Sequence, residues 1–175
     1  MSFIPNPDWK AAQRGYSWHE YPHVVVLVPA SGNINIGDLV GVNANGQAVR
    51  IAAANGEIPS NPSVFGVALG RSEAYSLDSE LYRGIPVATL GERPYVVLKK
   101  LAADGEPVNT AQTDYGKPVS LRMGKAGTVV AGVLGCSLQS GNDPVHGHVV
   151  DVVGSEYLMV ALDDSILITS STPTW

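Results

Sequence analysis

Val64-Phe65-Gly66-Val67-Ala68-Leu69-Gly70 is the stretch on which the fold turns, because a version of it returns as Val130-Ala131-Gly132-Val133-Leu134-Gly135. In both, a Gly-Val step sits inside an apolar run and a polar, turn-rich segment follows. Two more apolar runs come after each. Behind the first these are Ile85-Pro86-Val87-Ala88-Thr89-Leu90 and Tyr95-Val96-Val97-Leu98, separated by Gly91-Glu92-Arg93-Pro94. Behind the second they are Val149-Val150-Asp151-Val152-Val153 and Tyr157-Leu158-Met159-Val160-Ala161-Leu162, separated by Gly154-Ser155-Glu156. Ahead of the two stretches, Gly37-Asp38-Leu39-Val40 and Gly116-Lys117-Pro118-Val119 occupy comparable places. The pattern predicts an all-β chain built on a duplicated β-module, with the modules at about 34–98 and 116–162.

Working outward, residues 24–28 are five consecutive strand formers stopped by Pro29, which predicts a central strand. Asn45-Gly46 is a hairpin signal, since both central residues of a type I′ turn need positive φ. The flanks 39–42 and 48–51 are expected to pair across it. A second hairpin is expected with 117–123 and 128–134 flanking Gly124-Lys125-Ala126-Gly127, and a last short strand at 165–169. Residues 71–83 suit either a helix capped by Ser72 or an ordered loop, and 140–144 suit a turn. About ten strands spaced roughly ten residues apart predict a barrel or sandwich across 24–169. A doubly wound α/β sheet is excluded, because the alternating helices are missing.

Composition agrees. Of 175 residues, 45% are apolar and 15% charged, enough for a substantial core. Nineteen glycines and twelve prolines suit short strands and tight turns rather than helices, where these residues cost about 1 and 3 kcal/mol. The eleven basic residues are scattered along the sequence and the net charge is −5, whereas a surface that tracks a nucleic-acid backbone needs clustered cations. Direct nucleic-acid binding is not expected. Neither is a membrane span, as no apolar run nears 18 residues, and the first residues lack the charged start of a signal peptide. The single cysteine, Cys136, lies in an apolar run and is expected to be a buried small side chain.

Residues 1–23 differ from the rest: an extended arm that holds Phe3, Trp9, Tyr16, Trp18 and Tyr21, five of the twelve aromatics, among three prolines. Burying each ring is worth roughly 1.5–3 kcal/mol, so the arm is expected either to fold over its own domain or to reach a neighbouring subunit. Residues 170–175 form a polar tail ending in Trp175.

The chemistry-bearing residues do not assemble into a catalytic pattern. His19-Glu20-Tyr21-Pro22-His23 has the letters of a zinc-protease helix, but Pro22 breaks the helix that would align the two imidazoles. His146 and His148 share one side of an extended chain, yet a metal site needs three or four ligands, and loop polarity explains them. Asp163-Asp164 reads as a turn. Gly135-Cys136-Ser137 lacks the strand-turn-helix setting of a nucleophile elbow. Gly124-Lys125-Ala126-Gly127 lacks the spacing of a phosphate loop. The expectation is a protein that is not an enzyme and has no cofactor and no metal.

The order Gly-Asp-Leu-Val, Asn-Gly-Gln-Ala-Val, Phe-Gly-Val-Ala-Leu, polar loop, Ile-Pro-Val, Tyr-Val-Val-Leu (residues 37–98) resembles the small β-rich decoration, or cement, proteins of tailed-bacteriophage heads. Residues 116–162 follow that order more loosely, with Pro118 in place of an apolar strand residue. The resemblance implies a structural virion protein on the outer capsid surface, made in the host cytoplasm. It also implies a homotrimer whose partner is the major capsid protein, bridging capsomers of the expanded shell. In that setting Phe3, Trp9, Tyr16, Trp18 and Tyr21 are the expected capsid or inter-subunit contacts, since Trp and Tyr dominate interface energies. The rival classes are a head fibre or tail or baseplate component, and a carbohydrate-binding β-sandwich. Against the last, the loops 55–63, 103–114 and 139–148 carry no aromatic platform.

Overall fold

The structure, a computed structural model, describes residues 25–72, 84–90 and 94–168. Ten strands run through them: β1 (Val25–Pro29), β2 (Leu39–Val42), β3 (Ala48–Arg50), β4 (Gly66–Ala68), β5 (Gly84–Thr89), β6 (Tyr95–Leu101), β7 (Pro118–Met123), β8 (Leu134–Leu138), β9 (Gly147–Val153) and β10 (Tyr157–Leu162). The chain is all-β, as its composition and turns require. The first five strands form one sheet in the order β1-β5-β4-β2-β3, and the last five close into a barrel, β10-β6-β8-β7-β9.

These two orders are one order. Read around the ring from its first strand, each half runs first, fifth, fourth, second, third. The four pairings within that run are antiparallel in both halves. The ring is completed by a parallel contact between third and first strands. In the second half β6 and β8 supply it through Lys100↔Cys136 and Leu101↔Ser137. In the first half a single bridge does so, Ala30↔Ala48, with Ser31 N–H donating to Ala48 O at 2.9 Å.

Register carries the equivalence to single residues. Val67↔Ala88 and Leu39↔Val67 in the first copy answer to His148↔Ala161 and Pro118↔His148 in the second. Irregular hydrogen bonds repeat as well: Gly37 N–H to Ala68 O and Gly116 N–H to Val149 O, both 2.8 Å, and Leu90 N–H to Phe65 O and Asp163 N–H to His146 O. The interior follows suit. Val28, Val40, Ala48, Ala68, Ile85 and Val87 fill the first copy. Their counterparts Leu98, Val119, Cys136, Val149, Leu158 and Val160 fill the barrel.

The two halves therefore repeat one strand order and register, and the repeat divides differently from the sequence pattern. The copies are residues 25–90 and 95–163, and the run at 95–98, grouped above with the first module, opens the second. The expected equivalence of Gly37–Val40 with 116–119 holds. The match of Gly66-Val67 with Gly132-Val133 does not, because the residue in Gly66's place is Gly147. A Cβ on Gly66 would sit 2.3 Å from Ala88 O and 2.7 Å from Val87 Cγ1. On Gly147 it would sit 2.4 Å from Ala161 O and 2.8 Å from Val160 Cγ1. Close crossing of paired strands makes both glycines necessary.

Local differences follow from side-chain chemistry. The first hairpin pairs as expected, Val40↔Arg50 to Val42↔Ala48. Its turn is not type I′: Gly46 has φ 72°, but among the described residues Asn61 is the one non-glycine with positive φ. Asn43 Oδ1 instead accepts from Asn45 and Gln47 N–H at 2.9 and 3.0 Å, shaping a five-residue loop. The second hairpin is longer than expected. β7 pairs with Leu134–Leu138, not with 128–134, leaving 124–133 as its loop. Thr128 Oγ1 donates to Lys125 O (2.7 Å) and accepts from Val130 N–H, which curls this stretch out of strand geometry and leaves Val129 91% exposed.

The expected strand at 165–169 is a 3₁₀ turn, Asp164–Ile166, followed by one parallel bridge, Val64↔Leu167; Thr169 lies outside the described residues. So do residues 73–83 of the helix-or-loop segment. Ser72, read above as its cap, accepts from Ile34 N–H at 3.0 Å. Residues 140–144 form a turn as expected.

Candidate interaction surface

The five arm residues Phe3, Trp9, Tyr16, Trp18 and Tyr21 lie outside the described residues, as do His19, His23 and the tail at 170–175. The surfaces that can be built upward are the junction between the copies and the faces around it.

At the junction, the outer face of the first copy is apolar. Leu39, Ile51, Val64, Val67 and Leu90 are 0–8% exposed and share one continuous core with the barrel and with Ile166 and Leu167. Val64 N–H donates to Ile166 O (2.6 Å) and Val64 O accepts from Ile168 N–H (2.8 Å), so the segment after the barrel straps back onto the first copy. On the other side, the loop at 54–57 lies along β7: Gly56 N–H to Met123 O (3.1 Å) and Met123 N–H to Glu57 O (2.9 Å). Arg122 completes that contact. Its guanidinium is buried and divides its donors among Ser137 Oγ (3.0 Å), Gly56 O (2.8 Å) and Asp143 Oδ2 (2.8 Å). Fixed donors pointed at three separate elements lock the copies in one relation.

One more buried charge sits at the barrel's parallel seam. Lys100 Nζ donates to Asp114 Oδ2 at 2.6 Å and to Asn109 O at 3.0 Å, and Asp114 also accepts from Ala111 N–H at 2.8 Å. Burial opposes ionisation of Asp114, but the Lys100 hydrogen bond, the Ala111 N–H and the Lys100 charge together hold its carboxyl below the ordinary range. Neither Arg122 nor this pair was singled out from sequence. The signal lay in Lys99-Lys100: adjacent strand residues face opposite sides, so one of two consecutive lysines on a strand must turn inward. Lys99 turns outward, to Glu156 (3.0 Å) and over the Tyr157 ring.

The remaining candidates separate in space. His146 and His148 do not act together, and polarity of a loop does not account for His146. That imidazole is 3% exposed, and Nδ1 accepts the Leu121 N–H at 2.9 Å. Burial pulls its pKa below the ordinary value, with Asp163 pulling weakly the other way. The neutral ring is thus the form the fold holds. Stability from this group is complete above about pH 6.5, the unfolded value, and falls as pH drops toward the depressed folded value. We expect native protein to lose stability on titration from pH 7 to 5, and His146→Gln to flatten that slope in urea melts. An unchanged slope in the variant contradicts this role.

His148 points out, with Nδ1 3.5 Å from Asp163 Oδ1. Asp163-Asp164 begins the 3₁₀ turn, as expected. Cys136 is fully buried, and burial pushes its thiol up to about 12, far from a reactive thiolate. Ser137 is occupied by Arg122. Among the described residues no three His, Cys, Asp or Glu side chains converge as metal ligands.

The chain matches no family model, no curated protein and no solved structure. What it can do is read from its surfaces. The exposed large apolar side chains among the described residues are Tyr95, Tyr115, Val129, Val133 and Val145, all on the second copy. Tyr95, Ala161, His148 and Pro118 lie in one cross-strand row over β6, β10, β9 and β7. Within it Ala161, His148 and Pro118 are the counterparts of Ala88, Val67 and Leu39, which are buried in the first copy.

Proposed function

We propose that the protein is a structural virion component that binds the outside of a viral capsid and stabilises the expanded shell by bridging capsomers of the major capsid protein. In this reading it acts as a homotrimer on the outer capsid surface after synthesis in the host cytoplasm, and its work is contact rather than catalysis. The observation that carries the reading is a two-copy β-body with a shared core, preceded in sequence by an arm holding five of the chain's twelve aromatics. A shell under outward pressure is held by many modest contacts acting in parallel, which need a stiff spacer and an anchoring segment rather than a deep pocket. The resemblance of residues 37–98 to capsid decoration proteins supports the same assignment.

The arm supplies the test. Deleting residues 1–20 is expected to abolish binding to expanded shells while leaving the thermal transition of the β-body in place. Full binding by the truncated protein removes the arm from the contact.

A further inference from the structure

The two copies carry the same face with opposite character. In the first, Leu39, Ile51, Val64, Val67 and Leu90 are buried under the second copy. Register and matching hydrogen bonds place Pro118, Gln139, Val145, His148 and Asp163 at the same five positions of the second. Four of the five have lost their apolar side chain or exchanged it for proline. His148 and Asp163 side chains are 51% and 37% exposed, and Val145 is 38% exposed.

The edge has changed too. Val64 receives the parallel bridge from Leu167, whereas the main chain of Val145 makes no hydrogen bond to any described residue. Ahead of Val145 stands Pro144, where Ser63 stands ahead of Val64. Ser120, in the place of Gly41, donates to Pro144 O at 2.6 Å and fixes that proline in position.

A face-to-face contact between non-identical surfaces does not close on itself, so a repeat that uses it once offers it again at its far end. Repeat proteins end such a series with a polar outer face. We infer that Pro118, Gln139, His148 and Asp163 make the outer face of the second copy a stop. It is the surface by which the first copy holds the second, made polar so that a second molecule does not add there.

The experiment is sedimentation velocity of the full chain across a concentration series. His148→Val with Asp163→Leu changes two exposed positions and restores the first copy's residues. The variant is expected to associate, with a weight-average mass at least about twice that of native protein at the highest concentration, and a further Val145→Lys is expected to reverse this. A matched control, Ser155→Val with Glu156→Leu, adds apolar surface at the β9–β10 turn, at the far end of the strands, and is expected to behave as native. In native protein, Val145→Lys alone is expected to leave the mass unchanged. The inference is overturned if the double variant sediments as native does, if the control associates equally, or if Val145→Lys dissociates a native assembly.

Discussion

Asp114→Ala is expected to destabilise the protein by about 3–5 kcal/mol, the largest effect of any single polar substitution in the barrel. The side chains of Lys100 and Asp114 are 11% and 3% exposed, and their 2.6 Å contact is the one ion pair in which both partners are so deeply covered among the described residues. Removing the carboxylate leaves an ammonium in the parallel seam beside Cys136 with only the Asn109 carbonyl to answer it. Lys100→Met with Asp114→Asn removes both charges, keeps an acceptor for Ala111 N–H, and is expected to recover most of the loss. A double variant no more stable than Asp114→Ala contradicts this account of the pair. Because the Asp114 carboxyl is held below its ordinary range, its contribution is present above about pH 4 and is lost as pH falls through the depressed value.

Gly147→Ala and Gly66→Ala are expected to cost about 3 kcal/mol each, lowering Tm on the order of 10 °C. In both, the new methyl meets a carbonyl oxygen of the paired strand at 2.3–2.4 Å, and a backbone oxygen inside a ladder has nowhere to go. Gly132→Ala is the informative comparison. Nothing lies within 4 Å of a Cβ there, and the cost is that of placing alanine at φ 73°, about 1 kcal/mol. The structural equivalence of Gly66 with Gly147 predicts matched losses for those two and a smaller one for Gly132. Equal losses at Gly66 and Gly132 with a mild effect at Gly147 restore the equivalence suggested by the Gly-Val repeat.

That contrast shows what a single sequence could and could not convey. The all-β class was legible because strand formers, glycines and prolines alternate at short intervals. The hairpin at 39–50 was legible because it is local, with strand and turn signals side by side, whereas 149–153 and 157–162 were visible as apolar runs without their pairing. The equivalence of Gly37 and Gly116 was also visible, since both open a strand after a turn.

The copy boundary was not. It depends on a parallel contact between β6 and β8, whose residues are more than thirty positions apart and which has no local signature. The true counterpart of Val64-Phe65-Gly66-Val67 is Val145-His146-Gly147-His148, which shares only the first valine and the glycine. What is preserved there is a lack of room for Cβ, and the neighbouring side chains diverged because one face became buried and the other stayed in solvent. A Gly-Val-Leu-Gly string elsewhere matched better by letter while standing partly in a loop. The expected contact residues of the arm lie outside the described residues, so the surface that emerged from the structure is a different one, on the second copy.

The most direct measurement of the proposed role is co-sedimentation of the full chain with expanded capsids stripped of accessory proteins, with bound copies counted by densitometry. The account predicts saturable binding on the order of hundreds of copies per shell, one set for each repeated symmetry site. Binding limited to about a dozen copies indicates a vertex, fibre or tail position. Absence of binding contradicts the capsid role altogether.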